Sequence, residues 1–181
     1  MSELKLVGLC GSLRKESWNR KLMHAAKEAF GPAEFTEGNL RLPLFDEDLE
    51  AQGIPAEVTE LKDLIASADA VVIACPEYNK APPGVLKNAL DWLSRGGAPW
   101  RGKPVAIVSA AAGRAGGERT QFALRLMMVA FRPQLLQGPE MLLSNPSKAF
   151  GDQGSLTDEM ALKLLNELMQ DLRSAAQSRP A

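Results

Sequence analysis

Histidine and tyrosine each occur once in the 181-residue chain, and cysteine only twice. The one histidine, His24, falls on the side of a predicted helix away from its apolar face, so it reads as a solvated residue. No Ser-His-Asp triad, Cys-His pair or metal-ligand cluster is therefore in view, and no metal is expected. Cys10 and Cys75 each sit in an apolar, strand-like run, which suits buried free thiols rather than a disulfide. Neither sign of charge dominates: 21 Lys and Arg stand against 22 Asp and Glu. A mixed balance of this kind gives no support to a nucleic-acid or membrane surface. No apolar run approaches the ~20 residues of a transmembrane helix. The opening "MSELKLVGLCGS" lacks the charged start and long apolar run of a signal peptide. Low-complexity tracts, repeats and linkers are missing too. The expectation is one cytoplasmic domain over residues 1–181, with about 176–181 as a loose C-terminal tail.

What is present is an alternation. Continuous apolar runs at 4–10, 70–75 and 104–110 have the character of strands buried on both faces. "AEFTEGNL" (33–40) alternates like a further strand, and "QLLQGPEMLL" (134–143) is the weakest of the five. Helical periodicity separates them. The first helix starts near Asn19, with Leu22, Ala26, Ala29 and Phe30 on one face, and Gly31-Pro32 end it. Residues 40–55 read as a loop, and 56–67 as a helix with Val58, Leu61 and Ile65 inward. A helix from Pro83 to Ser94 begins with proline and takes Val85, Leu86, Leu90 and Leu93 as core. Two more cover about 117–131 and 157–175, the last with Met160, Leu164, Leu168 and Leu172 as its stripe. Five strand–helix alternations predict an α/β domain with a five-stranded parallel sheet and helices on both faces, a three-layer sandwich. Right-handed crossovers leave the flavodoxin-like strand order 2-1-3-4-5 as the leading topology. Ligands of such sheets bind beyond the strands' carboxyl ends where the order reverses, which points to the loops after Cys10, Cys75 and Ser109.

The first of these loops, "GSLRKESWN" (11–19), lacks both G-x-G-x-x-G and G-x-x-x-x-G-K. Leu13 and Glu16 stand where extra glycines would admit a pyrophosphate. Ser12, Ser17 and Arg14 supply donors, Asn19 stands at the expected N-cap, and a helix N-terminus favours an anion. A single terminal phosphate fits this set; a merely capped helix with a solvated Arg14 is the alternative. A tyrosine-phosphatase loop on Cys10 is ruled out, because Glu16 occupies the place where that chemistry needs an arginine. A phosphorylated receiver domain is disfavoured as well, since the first strand ends in Cys-Gly-Ser rather than in carboxylates. The second loop, "CPEYNKAPPGVLKNALDW" (75–92), gathers Pro76, Glu77, Tyr78 and Asn79 at a strand end. That combination suits a planar heteroaromatic ligand; a proline-rich turn leading into a helix explains it equally in form. The third, "SAAAGRAGGERTQ" (109–121), offers Ser109 as a donor and glycines that permit positive φ or close approach.

In combination these stretches resemble the NADPH-dependent FMN reductase family, notably its quinone, chromate and azo-dye reductases. "GSLRKESWN" is close to G-S-x-R-x-x-S-x-N, and "PEYNKAPPGVLKNALDW" is close to P-E-Y-N-x-x-x-P-G-x-L-K-N-A-x-D-W. The resemblance runs from about residue 4 to 143. It implies that Ser12, Arg14, Ser17 and Asn19 bind an FMN phosphate, and that Pro76, Glu77, Tyr78 and Asn79 line the flavin ring, chiefly through backbone groups. Leu13, Trp18 and Ser109, the one hydroxyl left in the third loop, would complete the cofactor site. It also implies NADPH or NADH as electron donor and a small-molecule acceptor such as a quinone, chromate, azo dye or free flavin. The flavin N5 would carry the chemistry, with no catalytic side chain. Members are commonly homodimers or homotetramers, and "FALRLMMVAF" (122–131) is apolar nearly all round, as an interface helix would be. Ala110, Ala111 and Ala112 depart from the serines relatives often carry in the third loop, and Ala81 from a serine after P-E-Y-N. A non-catalytic flavin-binding module on the same fold is the competing reading.

Overall fold

The structure is a computed structural model that describes residues 3–179. Parallel strands β1 (Lys5–Cys10), β2 (Glu34–Gly38), β3 (Ala70–Ala74), β4 (Pro104–Ala111) and β5 (Gln134–Leu135) form a sheet in the order β2-β1-β3-β4-β5. The expected fifth strand is divided: after β5, a sixth strand, β6 (Met141–Ser144), pairs with the carboxyl-terminal half of β4. The intervening Gly138-Pro139 explains the break, because proline has no N–H to give a ladder. Helices α1 (Trp18–Phe30), α2 (Glu47–Ala51), α3 (Ala56–Ser67), α4 (Gly84–Leu93), α5 (Glu118–Met128) and α6 (Glu159–Gln177) complete the chain. The short α2 lies in the segment read as a loop, with Asp46 capping it.

Strand alternation divides the core into two layers. In β3, Ala70, Val72 and Ala74 face α1 and α6, while Val71 and Ile73 face α3, α4 and α5. The α1/α6 side is built from small residues, and the helices approach closely there. A side chain on Gly8 would meet the Met23 sulfur at 2.7 Å. Leu22, Met23, Ala26 and Phe30 of α1 fill this layer and are wholly buried. Each such large side chain contributes about 1.5–3 kcal/mol of burial. On α6 the buried stripe is Ala161, Leu165, Leu168, Met169 and Leu172: Leu168 and Leu172 face inward as expected, while at the start of the helix Ala161 and Leu165 replace Met160 and Leu164, and Met160 is 63% exposed. The helix also continues through Gln177 with Ala176 buried, into the stretch read as a tail; Pro180 and Ala181 lie outside the described residues.

On the opposite layer Val58, Leu61 and Ile65 face inward as their spacing requires. Trp92 is fully buried and donates its indole N–H to the Pro43 carbonyl at 2.9 Å. At the far end of the sheet Lys103 is almost wholly enclosed, donating to the carbonyls of Ala66 and Ala68 where α3 ends. Burial pushes its ammonium down to about 8. Among the described residues no helix is long and apolar enough to cross a membrane, and no group of three His, Cys, Asp or Glu could hold a metal ion.

Candidate functional site

The first two loops converge beyond the carboxyl ends of β1 and β3. Gly11 donates its N–H to the Ala74 carbonyl at 2.9 Å, carrying the β1 ladder one residue further. A β-carbon on Gly11 would lie 3.1 Å from the Pro76 ring, so glycine lets the two loops lie against each other. Ser12 is buried, and its hydroxyl stands 3.4 Å from the Tyr78 hydroxyl. The residue picked for a phosphate and the residue picked for a ring thus face one another. Tyr78 borders a cavity of about 450 Å³ whose wall also includes Gly11, Leu13, Arg14, Pro83 and Val85, within the size range of small-molecule sites. A cavity of about 460 Å³ also opens between α1 and the Gln153–Leu156 turn, away from the strand ends. Size does not distinguish the two; position and donor chemistry do.

The helix N-terminus at the phosphate side is arranged by Ser17, not Asn19. Ser17 is the N-cap of α1 and accepts from the Arg20 N–H at 3.3 Å. This leaves Trp18 and Asn19 in the first turn, where backbone N–H groups have no intrahelical partner. The Asn19 side chain is directed elsewhere, forming a closed pair with the backbone of Ala110. Its amide donates to the Ala110 carbonyl at 2.8 Å and accepts the Ala110 N–H at 2.9 Å. Asn19 therefore straps the first loop to the third, and only its backbone is available to a ligand. The Trp18 ring turns away as well, stacking on Phe150 at 5.5 Å with the Lys21 ammonium 4.6 Å from its centre. Arg14 is exposed and has no ion pair among the described residues. Arg41 reaches in from the following loop to donate to the Leu13 carbonyl at 3.3 Å.

The ring-side loop is a tight hairpin. Tyr78 and Ala81 exchange N–H···O bonds of 3.0 and 3.1 Å across Asn79 and Lys80. Both central residues have positive φ, 51° and 67°, the arrangement of a type I′ turn. Asn tolerates that region; lysine does so at a cost of order 1–3 kcal/mol, and such strain concentrates at ligand-binding positions. Tyr78 is nearly half exposed at the hairpin's base. Pro83, expected to begin the next helix, is instead its N-cap. Val85, expected in the core, is half-buried on the cavity wall.

The third loop contributes less than its sequence suggests. Ser109 is fully buried, donating to the Gly116 carbonyl at 2.7 Å and accepting from Gln121 at 3.0 Å. It secures the base of the loop and is not at the cavity. Gly117 (φ +94°) packs directly on it: a β-carbon there would lie 2.8 Å from the Ser109 oxygen. The glycine therefore serves the loop's own packing. Gln121, which also donates to the Met141 carbonyl, and Thr120, which bonds the Pro76 carbonyl, are site-shaping residues absent from the sequence reading. Their partners are 12 to 44 residues away in the chain, so no local pattern marks them. Both cysteines are buried thiols. Burial pushes Cys10 up from its ordinary value and Cys75 up to about 12, which disfavours the thiolate at both.

The cavity beyond β1 and β3 thus takes Leu13 and Arg14 from the first loop and Tyr78, Pro83 and Val85 from the second. The profile of the NADPH-dependent FMN reductases matches residues 4–147. The chain belongs to this family. It is 39% identical to an NAD(P)H-dependent FMN reductase of Pseudomonas aeruginosa, covering 94% of each protein. It is 40% identical to a quinone reductase of Pseudomonas putida, covering 88% of each. Among solved structures, FerB, a flavoenzyme NAD(P)H:(acceptor) oxidoreductase of Paracoccus denitrificans, superposes with a TM-score of 0.87 at 32% identity over 96% of this chain and 97% of that one. The family match thus spans all three loops, and the departures at Ala110, Ala111 and Ala112 sit where Ala110 meets Asn19.

Proposed function

We propose that this family member is an FMN-dependent NAD(P)H oxidoreductase that reduces a small acceptor, a quinone being the leading class. The observation that carries the reading is the 3.4 Å approach of Ser12 to Tyr78, which joins a phosphate-type loop and a ring-type loop around one cavity. The donor set fits an FMN. The Ser12 hydroxyl, the Arg14 guanidinium and the first-turn N–H groups of Trp18 and Asn19 would hold the phosphate, as helix starts do. Tyr78, Val85 and the backbone of Pro76 to Asn79 would hold the ring. When bound, FMN supplies a two-electron carrier that a reduced nicotinamide can load and an acceptor can discharge.

The chain's own residues position and shield. Asn19 keeps the first and third loops in register, and Ser17 orders the helix start that faces the phosphate. The buried, protonated Cys10 and Cys75 add no competing nucleophile. A reading without catalysis is less well supported, since the curated relatives at 39% and 40% identity bear reductase names over nearly their full length.

The working form is a homodimer or homotetramer. Phe122, Leu126 and Val129 follow one another at i, i+4 and i+7, are 53%, 74% and 68% exposed, and make an apolar stripe suited to a second copy of the chain. The setting is the cytoplasm, in keeping with two free thiols. The reading is tested by following NADPH oxidation with a benzoquinone as acceptor, with and without added FMN. FMN-dependent turnover is expected; turnover that never requires flavin would contradict it.

A further inference from the structure

Thr120 is not among the residues that sequence assigns to the flavin, yet it bonds three consecutive residues of the ring-side loop. It is wholly buried at the third position of α5. Its hydroxyl donates to the Pro76 carbonyl at 3.2 Å and stands 3.2 Å from the Cys75 sulfur. Its N–H donates to the Glu77 carboxylate at 3.4 Å. A hydroxyl has one proton. With that proton on Pro76, the Cys75 thiol can donate to the hydroxyl oxygen at 3.2 Å or to the same carbonyl at 3.6 Å, so thiol, hydroxyl and carbonyl form one cluster. Burial keeps the thiol protonated and so preserves the donor.

Glu77 works from the opposite side. The N-cap of α5 is Gly117, which has no side chain to satisfy the first-turn N–H groups. The Glu77 carboxylate takes that place from another loop, with Arg119 3.9 Å away. A carboxylate at a helix N-terminus is favoured by the helix dipole. Residues 75, 76 and 77 are therefore all bonded to the start of α5, immediately before the hairpin that carries Tyr78.

We propose that Thr120 is a positioning residue for the flavin ring, holding the Cys75–Glu77 segment on α5 so that its backbone groups and Tyr78 meet the ligand in one geometry, with Glu77 as the second fastening. The inference rests on the FMN reading above. Removing the hydroxyl leaves the Pro76 carbonyl only the longer contact from the Cys75 thiol, at 3.6 Å, and loosens the hairpin's leading edge.

The test compares Thr120→Val with Thr120→Ser by quenching of FMN fluorescence, alongside the visible absorption spectrum of the bound flavin. Thr120→Val is expected to weaken FMN binding about tenfold and to shift the bound-flavin spectrum, while Thr120→Ser stays within about threefold of wild type. Glu77→Leu, which retains the hydroxyl, should weaken FMN binding several-fold and covers the case in which Thr120→Val does not fold. Wild-type affinity and spectrum in both Thr120→Val and Glu77→Leu would overturn the inference. So would equal losses in Thr120→Val and Thr120→Ser, which would assign the effect to packing. Wild-type protein that takes up no FMN would overturn the underlying flavin reading instead.

Discussion

Arg14 and Asn19 illustrate how differently two polar residues of one loop can serve a site. Asn19 is almost entirely enclosed, and both ends of its amide are paired with Ala110. Arg14 is exposed beside the cavity, so its guanidinium has little to do in the free protein and much to gain from an anion. Arg14→Ala should therefore leave folding nearly unchanged while weakening FMN binding by about 1.5–3 kcal/mol, the range for hydrogen bonds to charged groups. Fluorescence titration with FMN and a thermal melt together check this. Unchanged FMN affinity would remove Arg14 from the site, and a large fall in melting temperature would make it a structural residue. Ser109, by contrast, is a hydroxyl that looks available in sequence and is wholly engaged beneath the loop.

Among the elements, the first turn of α5 bonds the ring-side loop, and its outer face presents Phe122 and Leu126, with Val129 just beyond its end. A charge at the most exposed of these should break subunit association without disturbing the core, because Leu124 and Met128 do the inward packing. Wild type is expected to be dimeric or larger by light scattering at micromolar concentration, and Leu126→Glu to shift it toward monomer. A monomeric wild type would contradict this.

The elements also mark what local sequence can reveal. β1, β3 and β4 were legible because parallel strands covered on both faces read as unbroken apolar runs. The division into β5 and β6 was not, since the interrupting Gly-Pro lies inside a run of apolar letters, and pairing with β4 alone decides the outcome. The one-residue shift in the first half of the α6 stripe has a similar origin. Met160 and Ala161 are adjacent, and only the close approach of α1 selects the smaller one to face inward. Donors such as Ser12 and Arg14 could be picked from the loop itself. The partners of Asn19 and Thr120, 91 and 44 residues away, depend on topology. Sequence therefore located the cavity, while the fastenings that shape it appeared only in three dimensions.

For the molecule as a whole, the doubly wound sheet brings the three loops to one end and leaves the chemistry to a bound flavin. The central claim is that flavin held at this cavity exchanges electrons with a nicotinamide and an acceptor. The most direct measurement is the visible absorbance of FMN-loaded protein under anaerobic conditions, as NADPH and then a benzoquinone are added. The account predicts that the absorbance bleaches with NADPH or NADH and returns with the quinone. Bound flavin that stays oxidised in the presence of both nicotinamides would contradict it.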